Sequence, residues 1–398
     1  MMVYVGVSAR QTGKALEVFN LVFGKLTDDI PSYQTALDWV KKCGLSVYEN
    51  ARRRPSLREV DYSIIMDNSI TIGGQDLHVE LMAPASHPGH SLRHSDVEMV
   101  KMSVDEKWTG DMVREELSDT IAKAGCKPKY VVTDNGRVML GALAGQELTC
   151  HRDISHSFGM YLEQVYGKDG EYSELVQKIG YARKYGHTPI AHLMPPRRRA
   201  YARFMNVFDS IQWAHDIMQS DFKLPALARH LFGFVNTHAS LIEEMQEVMD
   251  AYRYMEHLCK EKGLSRTTAA ECISHIGKTL MPGGERPRRL GRLLIGYFRK
   301  EASLLEEEDA VHNISSDVIE SAFGYIKNRM SSCANHGFTS LILLMPLHFR
   351  LADIDCCADF NISDCLQSTS LTKLNEWKRE SLMQNMSQNR TKTLKFAS

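Results

Sequence analysis

The apolar residues of this chain repeat with a helical period at both ends and with a strand period in one stretch only, between about residues 61 and 151. That leaves room for a single sheet, with helices supplying the rest of a 398-residue chain long enough for two or three cores. Residues 8–25 place Ala15, Val18, Phe19, Val22 and Phe23 on one helical face, with Ser8 as the N-cap. A second helix runs from Tyr33 to Cys43, with Leu37, Trp39 and Val40 as its apolar side and Gly44 as its stop. Two short helices followed by Arg52, Arg53 and Arg54 have the outline of a helix-turn-helix DNA reader. The same pair would equally build any small helical domain.

From Asp61 the pattern becomes β. DYSIIMDNSI, then Gly73-Gly74, then QDLHVELMAPA read as a hairpin, and residues 95–104 alternate as a third strand. Residues 109–124 are helical and close at Gly125. KYVVTDNG is a short buried strand, RVMLGALAG a helix, Leu148–His151 a last strand, and a helix begins near Asp153. The order β-β-β-α-β-α-β-α is that of a ribonuclease-H-like mixed sheet. Residues 160–312 are helical throughout, 315–331 and 338–353 add two helices, and the polar tail beyond about 370 is expected to be loosely ordered.

The expected organisation is an α/β ribonuclease-H-like core, interrupted by a large all-α insertion and preceded by a helical helix-turn-helix-like segment. The segments are 1–58 for the DNA-binding helices, 59–158 for the first part of the core, and 159–314 for the insertion. The last core helices span 315–368, and 369–398 is the tail.

Two carboxylates stand out. Asp67 ends the first strand after Ile64, Ile65 and Met66, and Asp134 ends the fourth strand after Tyr130, Val131 and Val132. A carboxylate in such a run costs free energy unless it is paired or holds a cation. In the expected sheet the first and fourth strands are neighbours, so the two acids would stand together and require a divalent ion. Hard oxygen donors favour Mg²⁺ or Mn²⁺ over zinc. Each aspartate could instead simply form a turn. Glu320 and Lys327 lie two turns apart on one helix, with Gly324 between them on the same face. That pairing suits a metal and a phosphate, or an ordinary solvated surface.

Four segments, YSIIMDNS, YVVTDNG, HRDISHSF and SSDVIESAFGYIKNRM, resemble the DDE transposases of insertion sequences. The resemblance implies a catalytic and metal-binding triad of Asp67, Asp134 and Glu320 holding two Mg²⁺ or Mn²⁺ ions, with Lys327 as the basic residue seven positions on. Asp153 and His156 are similar to the (C/D)xxH element of several such superfamilies. They would either help position the scissile phosphate or form an interior structural pair. No Tyr and Arg precede Glu320 at the spacing some of these families show. The implied activity is metal-dependent cleavage and strand transfer at the ends of a mobile element, on double-stranded element and target DNA, by a homodimer or larger assembly. The alternatives are a ribonuclease-H-like nuclease or resolvase without strand transfer, and a domesticated protein that only binds DNA.

The net charge of −1 does not oppose a DNA partner, because the basic residues are clustered. Beyond Arg52–Arg54 there are Arg197, Arg198 and Arg199, and a set from Arg286 to Lys300. Trp213, in the helical stretch, would either stack on an extruded base or belong to a core. No apolar run reaches the ~18 residues of a membrane helix. Nine cysteines without a CxxC pair, and a start without a secretory pattern, fit a reduced cytoplasmic chain, nucleoid-associated in a prokaryote.

Overall fold

The computed structural model describes residues 1–25, 29–51, 61–185, 188–196, 205–220, 223–330 and 336–396. Arg52–Arg54 and Arg197–Arg199 lie outside the described residues. In chain order the first elements are α1 (Ala9–Phe23), α2 (Tyr33–Ala51), β1 (Tyr62–Ile72), β2 (Gln75–Pro84), β3 (Glu98–Asp105), α3 (Gly110–Ala124), β4 (Tyr130–Thr133), α4 (Arg137–Leu143) and β5 (Cys150–Arg152). Then come α5 (Ile154–Tyr166), α6 (Gly170–Tyr185), α7 (Met205–Gln219), α8 (Ala226–Phe232), α9 (Phe234–Thr237), α10 (Ala239–Lys262), α11 (Arg266–Thr279) and α12 (Glu285–Ser303). The chain ends with α13 (Asp317–Lys327), α14 (Leu344–Arg350), α15 (Ile354–Ala358), α16 (Ile362–Ser368), α17 (Leu371–Ser381) and α18 (Met386–Phe396). It divides into two compact units, Met1–His151 with Ser315–Ser398, and Arg152–Ile314. No described helix is long and apolar enough to cross a membrane.

The first unit is built on one five-stranded mixed sheet of order β3-β2-β1-β4-β5. β1, β2 and β3 are antiparallel neighbours, and β1 pairs with β4 in parallel. The β1–β2 turn is Gly73-Gly74, with φ of 61° and 78°, the two positive values that a tight hairpin loop requires. Alternation sends Tyr62, Ile64, Met66 and Val131 to one face, where Val113, Leu117 and Met139 of α3 and α4 cover them. Ile65, Val79, Leu81, Tyr130 and Val132 point to the other face, where α2, α13 and α14 form the second layer. α3 begins at the Thr109 cap and ends at Gly125, in the left-handed conformation at φ 81°.

Four expectations need correction. β1 does not stop at Asp67 but continues to Ile72, because β2 still pairs with it beyond the reach of β4. Gly44 does not end α2, which runs on to Ala51. A Cβ at Gly44 would fall 2.1 Å from the Leu343 carbonyl oxygen, so this glycine permits close packing. The tail is also ordered in part, since α17 buries Leu374 completely and Lys373 pairs with Glu49 of α2. Finally, the second N-terminal helix is built into the sheet unit rather than standing in a segment of its own. Cys43, Leu45 and Tyr48 of α2 belong to the sheet core, and the Tyr48 hydroxyl receives the Met102 N–H of β3 at 3.0 Å. α1 has its Ser8 cap, closed reciprocally by Gln11, but its apolar residues face outward, with Val22 63% and Phe23 69% exposed.

The second unit is all helical. α10, 24 residues long, buries ten side chains at its centre, and its Tyr252 stacks on Phe158 of α5 at 3.9 Å. The Ile154 N–H donates to the Ile314 carbonyl at 3.0 Å, so the unit starts and finishes at adjacent backbone. Such closure lets a long segment interrupt another domain without disturbing it.

Candidate functional site

The parallel β1–β4 ladder runs from Ser63 opposite Tyr130 to Met66 opposite Thr133. Asp67 and Asp134 are the next residues on their chains. Asp67 lies opposite Val79, and Val79 faces the layer that contains α13. The same alternation, carried one residue past Thr133, turns Asp134 toward that side. Their backbones are therefore separated by little more than the ~4.8 Å between neighbouring strands. Asp67 is 7% exposed, among the apolar residues of the sheet, whereas Asp134 is half-buried. The Asp134 carboxylate also receives the Gly136 N–H at 2.9 Å, closing the turn that ends β4. Turn formation and ligation are thus compatible at this residue.

α13 packs on β1 through Val318, Ile319, Ala322, Phe323 and Ile326. Ser316 occupies its N-cap, and the Ser315 hydroxyl receives the Asp317 N–H at 3.3 Å. Glu320 lies in the first turn and Lys327 in the last, both exposed. Seven residues at 1.5 Å each place them roughly 10 Å apart along the helix. A Cβ at Gly324, between them, would meet nothing within 4 Å. The face from Glu320 to Lys327 is therefore open and unobstructed.

The register brings the two aspartates together, and the helix bearing Glu320 covers the same face of the sheet. Among the described residues, no three His, Cys, Asp or Glu side chains are gathered closely enough to hold a metal ion. The three acids are thus not a closed ligand set. Their chemistry, carboxylate oxygens with one buried member, nevertheless matches what Mg²⁺ or Mn²⁺ takes.

Asp153 and His156 belong to the helical unit. Asp153, fully buried, caps α5 by accepting the His156 N–H at 2.7 Å, and the His156 Nδ1 lies 3.1 Å from the same oxygen. The neighbouring Tyr297 hydroxyl donates to the Arg152 carbonyl at 2.7 Å. Burial, then Glu301, Cys259 and Asp153, push that phenol well above its ordinary pKa. Asp153 is thus the buried cap of α5, and His156 beside it has a side chain 37% exposed. Trp213 is core: its indole N–H donates to the Leu193 carbonyl at 2.8 Å, and Phe232 meets its ring edge-on at 5.2 Å.

The arginines of α12 separate into two kinds. Arg286 is tied to Asp169, Glu171 and Glu244, and Arg288 donates to the Met281 and Gly283 carbonyls. Arg289, Arg292, Arg299 and Lys300 are exposed, and Arg292 pairs with Glu285 at 3.1 Å. Helical spacing puts Arg289, Arg292 and Arg299 along one face, with Gly296 leaving that face low. The sequence showed a basic cluster here but not which members are used internally.

No family model matches the chain, and no curated protein matches it.

Proposed function

We propose that the protein is a DNA transposase with a ribonuclease-H-like core, acting through Asp67, Asp134 and Glu320. The observation that carries this reading is the placement of two aspartates directly beyond the last rung of neighbouring parallel strands, on the face covered by the Glu320 helix. A sheet of order 3-2-1-4-5 with an antiparallel β1–β2–β3 half supports it, as does a helical unit inserted between β5 and α13.

In this reading Asp67 and Asp134 would hold two Mg²⁺ or Mn²⁺ ions from the sheet, with Glu320 completing the set from the helix. Bound there, the ions would supply activation of the attacking oxygen and stabilisation of the leaving oxygen in an in-line displacement at phosphorus. Lys327 neutralises a phosphate beside the scissile one, and Gly324 lets the sugar-phosphate backbone approach α13. The exposed α12 stripe adds phosphate contacts in the inserted unit, so binding weakens steeply with salt. Hydrolysis frees a 3′-OH at the element end, and that hydroxyl then attacks target DNA in a transesterification. Two or more copies would hold paired ends.

The test uses duplexes taken from the DNA flanking the protein's own coding sequence, ending in a 3′-OH, together with supercoiled plasmid and Mg²⁺ or Mn²⁺. Transposition predicts covalent joining of the duplex to the plasmid, abolished by a chelator. Nicking without joining would indicate a nuclease or resolvase, and binding without either would leave a DNA-binding protein.

A further inference from the structure

α1 turns one face to its own chain and the other to solvent. Ala9 is buried, Thr12, Gly13 and Leu16 are half-buried, and a Cβ at Gly13 would lie 3.7 Å from the Pro31 carbonyl oxygen. The C-terminal end of the helix carries Val18, Phe19, Leu21, Val22 and Phe23, all exposed, with Leu21 at 85%. At about 100° per residue, Val18 and Val22 make the middle of this face, Phe19 and Phe23 one flank and Leu21 the other. The two phenyl rings already meet, with centroids 6.0 Å apart. Glu17 precedes this run, and Lys25 follows the Gly24 that ends the helix, both exposed. No charged residue stands between them.

We infer that this face is a dimerisation surface, on which two copies of the chain pair their α1 helices antiparallel across a two-fold axis at Leu21. Three arguments select a second copy as the occupant. The face is self-complementary, because residues equally spaced about position 21 come opposite one another. Leu21 then meets its own copy, and Phe19 of each helix meets Phe23 of the other, extending the ring pair to four rings. The charges agree, since Glu17 of each copy comes beside Lys25 of the other. A parallel pair would instead set Glu17 against Glu17 and Lys25 against Lys25. The area agrees as well. The five side chains leave roughly 500 Å² of apolar surface in water, so a symmetric pair covers about 1,000 Å², the size at which a specific interface begins.

The helices join the chains without any nucleic acid. The inference therefore does not rest on the transposase reading, although it would supply the paired copies for which that reading calls.

The experiment is sedimentation velocity of the full-length protein, without DNA, over a range of micromolar concentrations. The wild type is expected to be a dimer in equilibrium with monomer. Leu21→Asp sets two like charges at the axis and is expected to raise the dissociation constant ~100-fold or more. Its circular dichroism spectrum should be unchanged, because position 21 is exposed. Glu17→Lys and Lys25→Glu are each expected to weaken the dimer ~10-fold. The double variant should restore it, a reciprocity that the antiparallel register alone gives. A monomeric wild type, a dimer indifferent to Leu21→Asp, or a double variant as weak as the single ones overturns the inference. Flotation of a monomeric wild type with phosphatidylcholine vesicles would likewise overturn it and give the face to a lipid surface.

Discussion

Asp67 and Asp134 occupy equivalent positions, each one residue beyond the Met66–Thr133 rung that closes the parallel ladder between β1 and β4. Carboxylates brought to the same side of neighbouring strand ends disfavour each other's charged form. A divalent cation converts the repulsion into affinity, because the charges that oppose one another both attract it.

Divalent ions should therefore stabilise the wild-type protein and leave the aspartate variants unaffected. At Mn²⁺ concentrations a hundredfold above its dissociation constant, binding adds about 2.7 kcal/mol to unfolding. Asp67→Asn and Asp134→Asn should abolish that increment in thermal melts, and should reduce DNA cleavage by ~100-fold or more. A wild-type melting temperature unmoved by Mn²⁺ and Mg²⁺ in the presence of DNA would remove the metal from this site.

The face between Glu320 and Lys327 gives a prediction in which stability and DNA binding move in opposite directions. Gly324→Leu replaces a helix-interior glycine where its Cβ meets nothing within 4 Å, so stability should rise by about 1 kcal/mol. The same side chain should obstruct the DNA backbone and weaken binding. Lys327→Gln should lower affinity for all sequences alike and reduce the slope of log affinity against log salt by about 0.9. Unchanged DNA affinity in both variants, measured by fluorescence anisotropy, would show that DNA does not contact α13.

Much of the sheet could be read from local pattern, because strand alternation, the Gly73-Gly74 turn and the Gly125 stop are decided by neighbouring residues. The elements that could not be read depend on distant ones. Gly44 has the local signature of a helix stop, yet its role is set by Leu343, nearly three hundred residues away. The polar composition of α17 hides one residue, Leu374, that the core buries completely. Asp67 and Asp134 were legible as a pair because the expected strand order made the first and fourth strands neighbours, as β1 and β4 are. The position of Glu320 was not, since it depends on how α13 is set against the sheet after a long insertion. The opposite uses of Arg286 and Arg289, close together on one helix, follow from acidic partners on other helices that no local pattern reveals.

Gly44→Ala tests the close approach of α2. On an exposed helix the change would stabilise by about 1 kcal/mol. Here the added Cβ would lie 2.1 Å from the Leu343 oxygen, so the helix must shift, and a loss of about 1–3 kcal/mol or more is expected. Urea denaturation gives the sign directly. A gain in stability would mean that α2 and the 340–343 turn are not in contact as described.

His348 makes the stability of the sheet unit depend on pH in a defined window. Its ring stacks on Tyr325 at 3.9 Å with planes 11° apart, and it lies 4.4 Å from the His94 ring. Burial first, then the His94 and Arg329 charges, bring its pKa down to about 4. The unfolded chain would titrate near 6.5. Below about 6.5 the unfolded form takes up a proton that the folded form refuses, so stability falls as pH drops and the loss is complete below about 4. Solvent screening of a half-buried ring limits the effect to no more than about 3 kcal/mol. His348→Phe keeps an aromatic ring against Tyr325 and removes the titration. Urea melts from pH 7 to about pH 5, where most carboxylates remain charged, should give a wild-type curve that falls more steeply than that of the variant. Parallel curves would show that His348 accepts its proton in the folded state, and with it that the stack against Tyr325 and His94 does not exclude the charged ring.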